Sequence, residues 1–186
     1  MKTLFYRIGY GMAFVIFNIR VVVDLLPNVI GYLMILSALS ELRKKERSFT
    51  LGMWASIALS VISIPGFFQA HELKLNQPVL SLNFLLVLNL AETLLQWVLI
   101  YSICDGSFKL AGIRGKGDLA SSIRFRWRFY FGCSALYMIA YPFVLNTQEV
   151  AIVLFSSVAT FIAFFMIMLV IRRAGRELSV PFERSV

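Results

Sequence analysis

The chain alternates between long apolar runs and short charged segments, a pattern typical of membrane-crossing helices. The clearest run, 150–171, contains no charged residue and is followed at once by Arg172 and Arg173. A helix of about 20 apolar residues crosses a hydrocarbon core of about 30 Å. Five further apolar stretches meet or approach this length. The pattern predicts spans at about 5–23, 27–42, 50–68, 80–103, 129–145 and 150–171.

The first two spans are separated by a proline. Pro27 cannot donate a backbone N–H and clashes with the preceding turn, but it suits the first turn of a new helix. We therefore expect a tight helical hairpin in which Pro27 begins the second arm. The arm 27–42 is short for a full crossing. If the hairpin only dips into the membrane, four spans remain and both termini still lie on one side.

Composition supports the membrane interpretation. Of the 186 residues, 59% are hydrophobic and 15% are charged, whereas soluble domains average roughly 45–50% apolar and about 25% charged residues. A soluble fold of this size could not hide so much apolar surface. The predicted fold is all-α, a polytopic transmembrane helical bundle of six helices that forms a single integral membrane domain over 1–186.

The charge distribution predicts the orientation of these spans. The formal net charge is +8, and apart from Arg20 and Lys74 every Lys and Arg falls in a segment on the same predicted side. Positive charge accumulates on the cytoplasmic side of membrane proteins. Both termini are therefore expected in the cytoplasm. In a soluble protein this charge would suggest nucleic acid, but basic residues beside apolar runs favour topology, and no nucleic-acid partner is predicted.

One basic segment interleaves cations with aromatic rings before the fifth span. It contains Arg124, Arg126, Trp127 and Arg128. Such a pattern can bind nucleic acid, but it also describes an anchor at the membrane interface, where aromatic rings settle and cations meet anionic lipid. We favour the anchor, with the bilayer and anionic lipid at the cytoplasmic face as partners.

A polar stripe interrupts the fourth span. Glu92 lies midway along it, with Asn89 three residues before and Gln96 four residues after, so the three share one helical face. A charge near the bilayer centre costs about 2.5–3.5 kcal/mol on insertion scales. The stripe is therefore expected to face other helices. It is either an ion or proton site, or a set of polar groups that hold helices together.

Two charges in the first helix form a related candidate. Arg20 and Asp24 are four residues apart and can pair along one face. Asp24 also precedes the second arm, whose N-terminal dipole favours negative charge. We expect this pair to stabilise the hairpin. We also predict a contact between Arg20 and Glu92, bridged by Asn18 or water, because a long side chain narrows the difference in depth between the two residues.

Small residues recur every four positions in two spans. Gly52, Ser56 and Ser60 do so in the third, and Ser156 and Thr160 in the sixth. Such spacing lets helices approach closely. Packing within the chain is the first interpretation; pairing with a second copy or another membrane protein is the alternative.

Motifs of soluble enzymes are missing from the sequence. The chain has one histidine, His71, so it has no two-histidine metal motif. The segment 112–117 is rich in glycine but lacks the P-loop spacing. We therefore predict no metal, no cofactor and no catalytic residue.

The string DLLPNVIGY at 24–32 resembles a hairpin motif in small multi-pass membrane proteins of Gram-positive bacteria that have no assigned activity. The resemblance implies a bacterial cytoplasmic membrane and transfers no catalytic residue. The leading functional hypothesis is a non-enzymatic protein that works through helix packing with itself or a partner. The alternative is a small transporter or channel that uses the Glu92 stripe. A third, an enzyme acting on membrane lipid, would need polar groups converging near Asp105 and Asp118.

Overall fold

The computed structural model describes residues 1–16, 28–69, 79–147 and 150–179. Within these ranges the chain forms helices and no strand, so the all-α prediction is confirmed. The helices are α1 Lys2–Ile16, α2 Asn28–Leu42, α3 Phe49–Gln69, α4 Val79–Ile113, α5 Gly117–Thr147 and α6 Val150–Glu177.

Two helices, α4 and α5, extend ten or more residues beyond the apolar runs that predicted them. The run 80–103 lies in α4, which continues to Ile113, and the run 129–145 lies in α5, which already begins at Gly117. Hydropathy marks where a segment becomes too polar for a bilayer, whereas a helix ends only where its backbone must turn. The added residues mix charged and apolar side chains, and so they extend the helices without extending the apolar runs. α5 also continues through Pro142.

The turn between α4 and α5 explains where α4 ends. Gly115 has a φ of 66°, a left-handed conformation that glycine adopts without steric cost. The Lys116 N–H donates to the Ala111 carbonyl at 2.9 Å, as in a Schellman helix end. The glycine-rich segment 112–117 is therefore the connection between two helices.

The chain packs as two compact units. The α2–α3 unit comprises Arg7–Ile103, and the α5–α6 unit comprises Met1–Tyr6 with Cys104–Val186. In the first, α2 packs along α3; in the second, α5 packs along α6. α4 belongs to the α2–α3 unit up to Ile103 and to the α5–α6 unit from Cys104 onwards.

In the α5–α6 unit, the start of α1 packs against the end of α6. A Cβ added to Gly175 would lie 2.7 Å from Cβ of Phe5, so glycine permits the close contact. The Arg172 guanidinium lies 5.5 Å from the ring centre of Tyr6. The Arg114 guanidinium donates to the carbonyl of Leu178. These contacts join both ends of the described chain to the α4–α5 turn.

One helix in the described part of the chain is long and apolar enough to cross a membrane. It is Leu154–Glu177, and only 33% of its most apolar window is buried within the protein. Two shorter apolar helices, Asn28–Leu42 and Phe49–Ser63, lie in the α2–α3 unit.

Candidate functional site

The polar stripe of α4 meets a buried tyrosine of α2. The Gln96 side-chain amide donates to the Tyr32 hydroxyl oxygen at 3.1 Å, and the Tyr32 hydroxyl is hydrogen-bonded to the Glu92 carboxyl. A phenol can accept one hydrogen bond and donate another. One hydroxyl therefore serves two polar side chains that lie one turn apart on α4. Tyr32, Glu92 and Gln96 are called the α2–α4 polar cluster below.

Packing between α1 and α2 fixes the position of Tyr32. A Cβ added to Gly11 would lie 2.6 Å from the Gly31 carbonyl oxygen, and one added to Gly31 would lie 2.8 Å from the Gly11 carbonyl oxygen. The two backbones therefore touch where these glycines meet. Tyr32 lies about 100° further round the helix than Gly31, and its side chain is only 1% exposed.

Tyr32 also contacts α3 through its backbone. The Ser56 hydroxyl donates to the Tyr32 carbonyl oxygen at 2.7 Å, and the Ser60 hydroxyl donates to the Ser56 carbonyl oxygen at 2.8 Å. Both serines are buried. The small-residue row of α3 thus lies inside the α2–α3 unit, in agreement with its interpretation as a packing surface. Residue 32 connects three helices.

A second polar contact joins α4 to the beginning of α3. The Ser102 hydroxyl accepts a hydrogen bond from the Gly52 N–H at 2.8 Å and donates to the Ser48 carbonyl oxygen at 2.7 Å. It therefore bridges the backbone of Ser48, which immediately precedes α3, and that of Gly52 in the first turn of α3. A Cβ added to Gly52 would lie 2.6 Å from this hydroxyl oxygen, so a glycine is needed there.

Several predicted site residues fall beyond what the structure describes. Arg20, Asp24 and Asn18 lie outside the described residues, and so the predicted Arg20–Glu92 contact stays a prediction. Asn89 lies in α4, but its side chain is not among those described. Of the predicted stripe, Glu92 and Gln96 are brought together.

Sequence reasoning missed Tyr32 as a member of the site. In the sequence, Tyr32 stands out only as part of the string 24–32. Its polar atom is one hydroxyl on an aromatic ring, a residue type that also suits a membrane interface. A signal was available, because a tyrosine beside a glycine in an apolar helix can pack inside and still needs a hydrogen-bond partner.

The four residues of the predicted membrane anchor have different environments. Arg126 donates to the carbonyl oxygen of Met166 in α6 at 2.7 Å. The Arg124 guanidinium lies 4.2 Å from the ring centre of Phe108. The Trp127 ring lies 5.0 Å from that of Phe131. Arg128 is exposed. Arg126 thus ties α5 to α6, whereas Arg124 and Arg128 form the basic surface.

No three His, Cys, Asp or Glu side chains of the described residues come together as metal ligands, and both cysteines are free thiols. No protein-family model, curated protein or solved structure matches the chain. The resemblance of 24–32 to a hairpin motif stays a sequence-based hypothesis. The functional argument rests on the contacts described above.

Proposed function

We propose that the chain is a multi-pass membrane protein with six membrane-crossing helices and both termini in the cytoplasm. We further propose that it acts without catalysis, by packing its helices against a second copy or another membrane protein. The cytoplasmic membrane of a bacterium is the proposed location. The support comes from the surface of the helices, from their lengths and from the α2–α4 polar cluster.

The outward face of α4 carries the proposal. Its members recur at three- and four-residue steps and are between 41% and 62% exposed: Val87, Leu90, Leu94, Val98 and Tyr101. The polar residues Glu92, Gln96 and Ser102 instead make contacts with α2 and α3. Soluble proteins rarely expose such continuous apolar surface. Apolar residues outside and polar residues inside are what a hydrocarbon solvent favours.

α6 also exposes large apolar side chains, over a wider face than α4. Its exposed large apolar residues include Leu154, Phe155, Val158, Phe161, Ile162, Phe165 and Leu169. α6 has 28 residues and α3 has 21, which correspond to about 42 Å and about 31 Å at 1.5 Å per residue. Both lengths suffice for a hydrocarbon core of about 30 Å.

The polar cluster favours a packing role for Glu92. Its carboxyl and the Gln96 amide share one hydroxyl of a neighbouring helix. Polar groups that bond across helices in this way hold membrane helices together. An ion site would instead need the carboxyl oxygens turned toward a path from one side of the membrane.

Transport is the second candidate, and one observation favours it. Glu92 is only partly buried, and a carboxyl, a phenol and an amide meet at one place in otherwise apolar helices. A carboxyl in such a position can bind and release a proton. This candidate makes Glu92 the coupling residue.

Cysteine accessibility tests the proposed topology. Both native cysteines are replaced by alanine, and one cysteine is introduced either in place of Lys45 or in place of Lys74. The outer layers of the cells are first removed and the cytoplasmic membrane is left intact. A membrane-impermeant maleimide is then expected to label only the Lys74→Cys variant. The Lys45→Cys variant should react after permeabilisation. Labelling of Lys45→Cys before permeabilisation would overturn the proposed topology. Release of the protein from membranes by alkaline carbonate would overturn the membrane proposal.

Proton flux separates packing from transport. Proteoliposomes containing the wild type or Glu92→Gln are given a pH gradient, and a trapped pH-sensitive dye is followed. Glutamine keeps an acceptor oxygen for Tyr32 but cannot ionise. The packing proposal expects both to match protein-free vesicles. Wild-type flux that Glu92→Gln abolishes would replace it with the transport proposal.

A further inference from the structure

A cleft opens beside the first turns of α5, in the α5–α6 unit. Its volume is about 380 Å³, and its lining includes Phe108 of α4 with Ala120, Ser121, Arg124, Phe125 and Arg128 of α5. The α5 residues recur at three- and four-residue steps, so they form one face of the helix. Ala120 is buried, whereas both arginines are exposed. The cleft has an apolar floor and a basic rim.

The rim is open to a negatively charged ligand. The ion pairs formed within the described ranges, Asp105 with Lys109 and Arg173 with Glu177, use neither Arg124 nor Arg128. The Arg124 guanidinium carbon lies 4.2 Å from the centre of the Phe108 ring, a cation–π contact. This contact is made between the charge and the ring and not through an N–H hydrogen bond. Guanidinium N–H groups match the oxygen atoms of a phosphate.

The outer wall of the cleft is aromatic and continues into an apolar stretch. Phe125 is 65% exposed, and its ring is stacked on that of Phe129, with centres 6.4 Å apart and planes 9° apart. Phe129 begins the predicted span 129–145. A ligand in the cleft would therefore meet cations at one end and an apolar surface at the other.

We propose that this cleft binds one anionic phospholipid, with its phosphate on Arg124 and Arg128 and its acyl chains against Phe125 and Phe129. The proposal rests on the proposed membrane location. It narrows the general lipid contact predicted for the anchor segment to one cleft that holds one lipid. The two arginines and the exposed phenylalanines together favour a lipid over free phosphate. A free phosphate ion has no apolar part that could contact the phenylalanines.

Native mass spectrometry of the protein in dodecyl maltoside tests the proposal. The probes are dioleoylphosphatidylglycerol and dioleoylphosphatidylcholine, which differ in net charge and share acyl chains. We expect the wild type to retain the anionic lipid preferentially. Arg124→Gln combined with Arg128→Gln should weaken that retention about 30-fold, or about fivefold per arginine. The matched control, Arg43→Gln with Arg47→Gln, removes the same charge at the same spacing from the α2–α3 unit and should change retention little.

Two further measurements keep the outcome interpretable. Circular dichroism shows whether the cleft variant is folded; if it is not, Phe125→Ala, which removes only the exposed wall, should also weaken lipid retention. Equal losses in cleft and control variants would overturn the site in favour of general charge attraction. Competition by inorganic phosphate at the same concentration as the lipid would overturn the lipid assignment. Membrane residence is scored separately by carbonate extraction, so its failure is distinguishable from failure of the cleft.

Discussion

The Tyr32 hydroxyl and the Gln96 amide nitrogen, 64 residues apart in the chain, lie 3.1 Å apart between α2 and α4. The same hydroxyl is bonded to Glu92, and the Tyr32 carbonyl accepts from Ser56 of α3. One residue thus connects the polar stripe of α4 to two other helices. Through these contacts Tyr32 joins α2 to both α3 and α4 within the α2–α3 unit.

Tyr32→Phe should destabilise the protein while preserving its helices. The substitution keeps the ring but removes the partner of Gln96 and Glu92, which costs about 1 to 2 kcal/mol. The free energy of unfolding is measured by titrating dodecyl maltoside micelles with SDS and following circular dichroism. Tyr6→Phe, which removes the hydroxyl of a partly exposed tyrosine of α1 and keeps the ring that Lys2 and Arg172 contact, is the control and should have a smaller effect. Equal losses of unfolding free energy in the two variants would contradict the role of the Tyr32 hydroxyl in joining α2 to α4.

Ser102→Ala should loosen the contact between α4 and the first turn of α3. The hydroxyl bridges the Gly52 N–H and the Ser48 carbonyl, and the residue is buried, so its loss should cost about 1 to 2 kcal/mol. Amide hydrogen exchange should speed up at 49–52 more than elsewhere in α3. Ser179→Ala, at an exposed serine bonded to Arg176, provides the comparison. Unchanged exchange at 49–52 would contradict the bridging role.

The sequence predicted the helices well because apolar runs of bilayer length leave few alternatives. The run 150–171 lies within α6, and the run 50–68 within α3. Hydropathy could not predict that α4 reaches Ile113, because the end of a helix is set by backbone hydrogen bonding and not by where the apolar residues stop. The Gly115 turn was visible as a glycine-rich segment, but its left-handed conformation depends on the helices it joins.

The sequence predicts two of the three residues of the α2–α4 polar cluster, Glu92 and Gln96. Glu92 and Gln96 share a face because their four-residue spacing is a local property of one helix. Their partner Tyr32 is set by how α2 meets α4, a contact between residues 64 positions apart in the chain. Similarly, Arg126 and Arg128 look equivalent in the basic segment, yet Arg126 donates to the Met166 carbonyl of α6 whereas Arg128 is exposed. Pairings between helices depend on tertiary packing that spacing within one helix does not encode.

Gly11→Ala and Gly132→Ala should change stability in opposite directions. Alanine is the better helix former by about 1 kcal/mol, so it should stabilise α5 at Gly132, where an added Cβ meets nothing within 4 Å. At Gly11 the same Cβ would lie 2.6 Å from a backbone oxygen of α2. Overpacking of this kind costs about 1 to 3 kcal/mol. The SDS titration described above measures both variants.

A stabilising Gly11→Ala would show that α1 and α2 can separate without cost, and would contradict the close glycine contact. Gly31→Ala tests the same contact from the other helix and should destabilise to a similar degree. Combining both alanines should cost less than the sum of the single costs, because the first substitution already separates the backbones.

Arg126→Gln should destabilise the pairing of α5 and α6, although the residue belongs to a segment that reads as an exposed anchor. Its guanidinium donates to the Met166 carbonyl at 2.7 Å, and a hydrogen bond from a charged donor contributes about 1.5 to 3 kcal/mol. Glutamine is shorter than arginine and uncharged, so we expect that it does not replace the bond to the Met166 carbonyl. Arg43→Gln, at an exposed arginine of the α2–α3 turn, removes the same charge as a control. Equal unfolding free energies for the two variants would show that Arg126 acts through its charge alone, whereas a loss confined to Arg126→Gln assigns it to the α5–α6 contact.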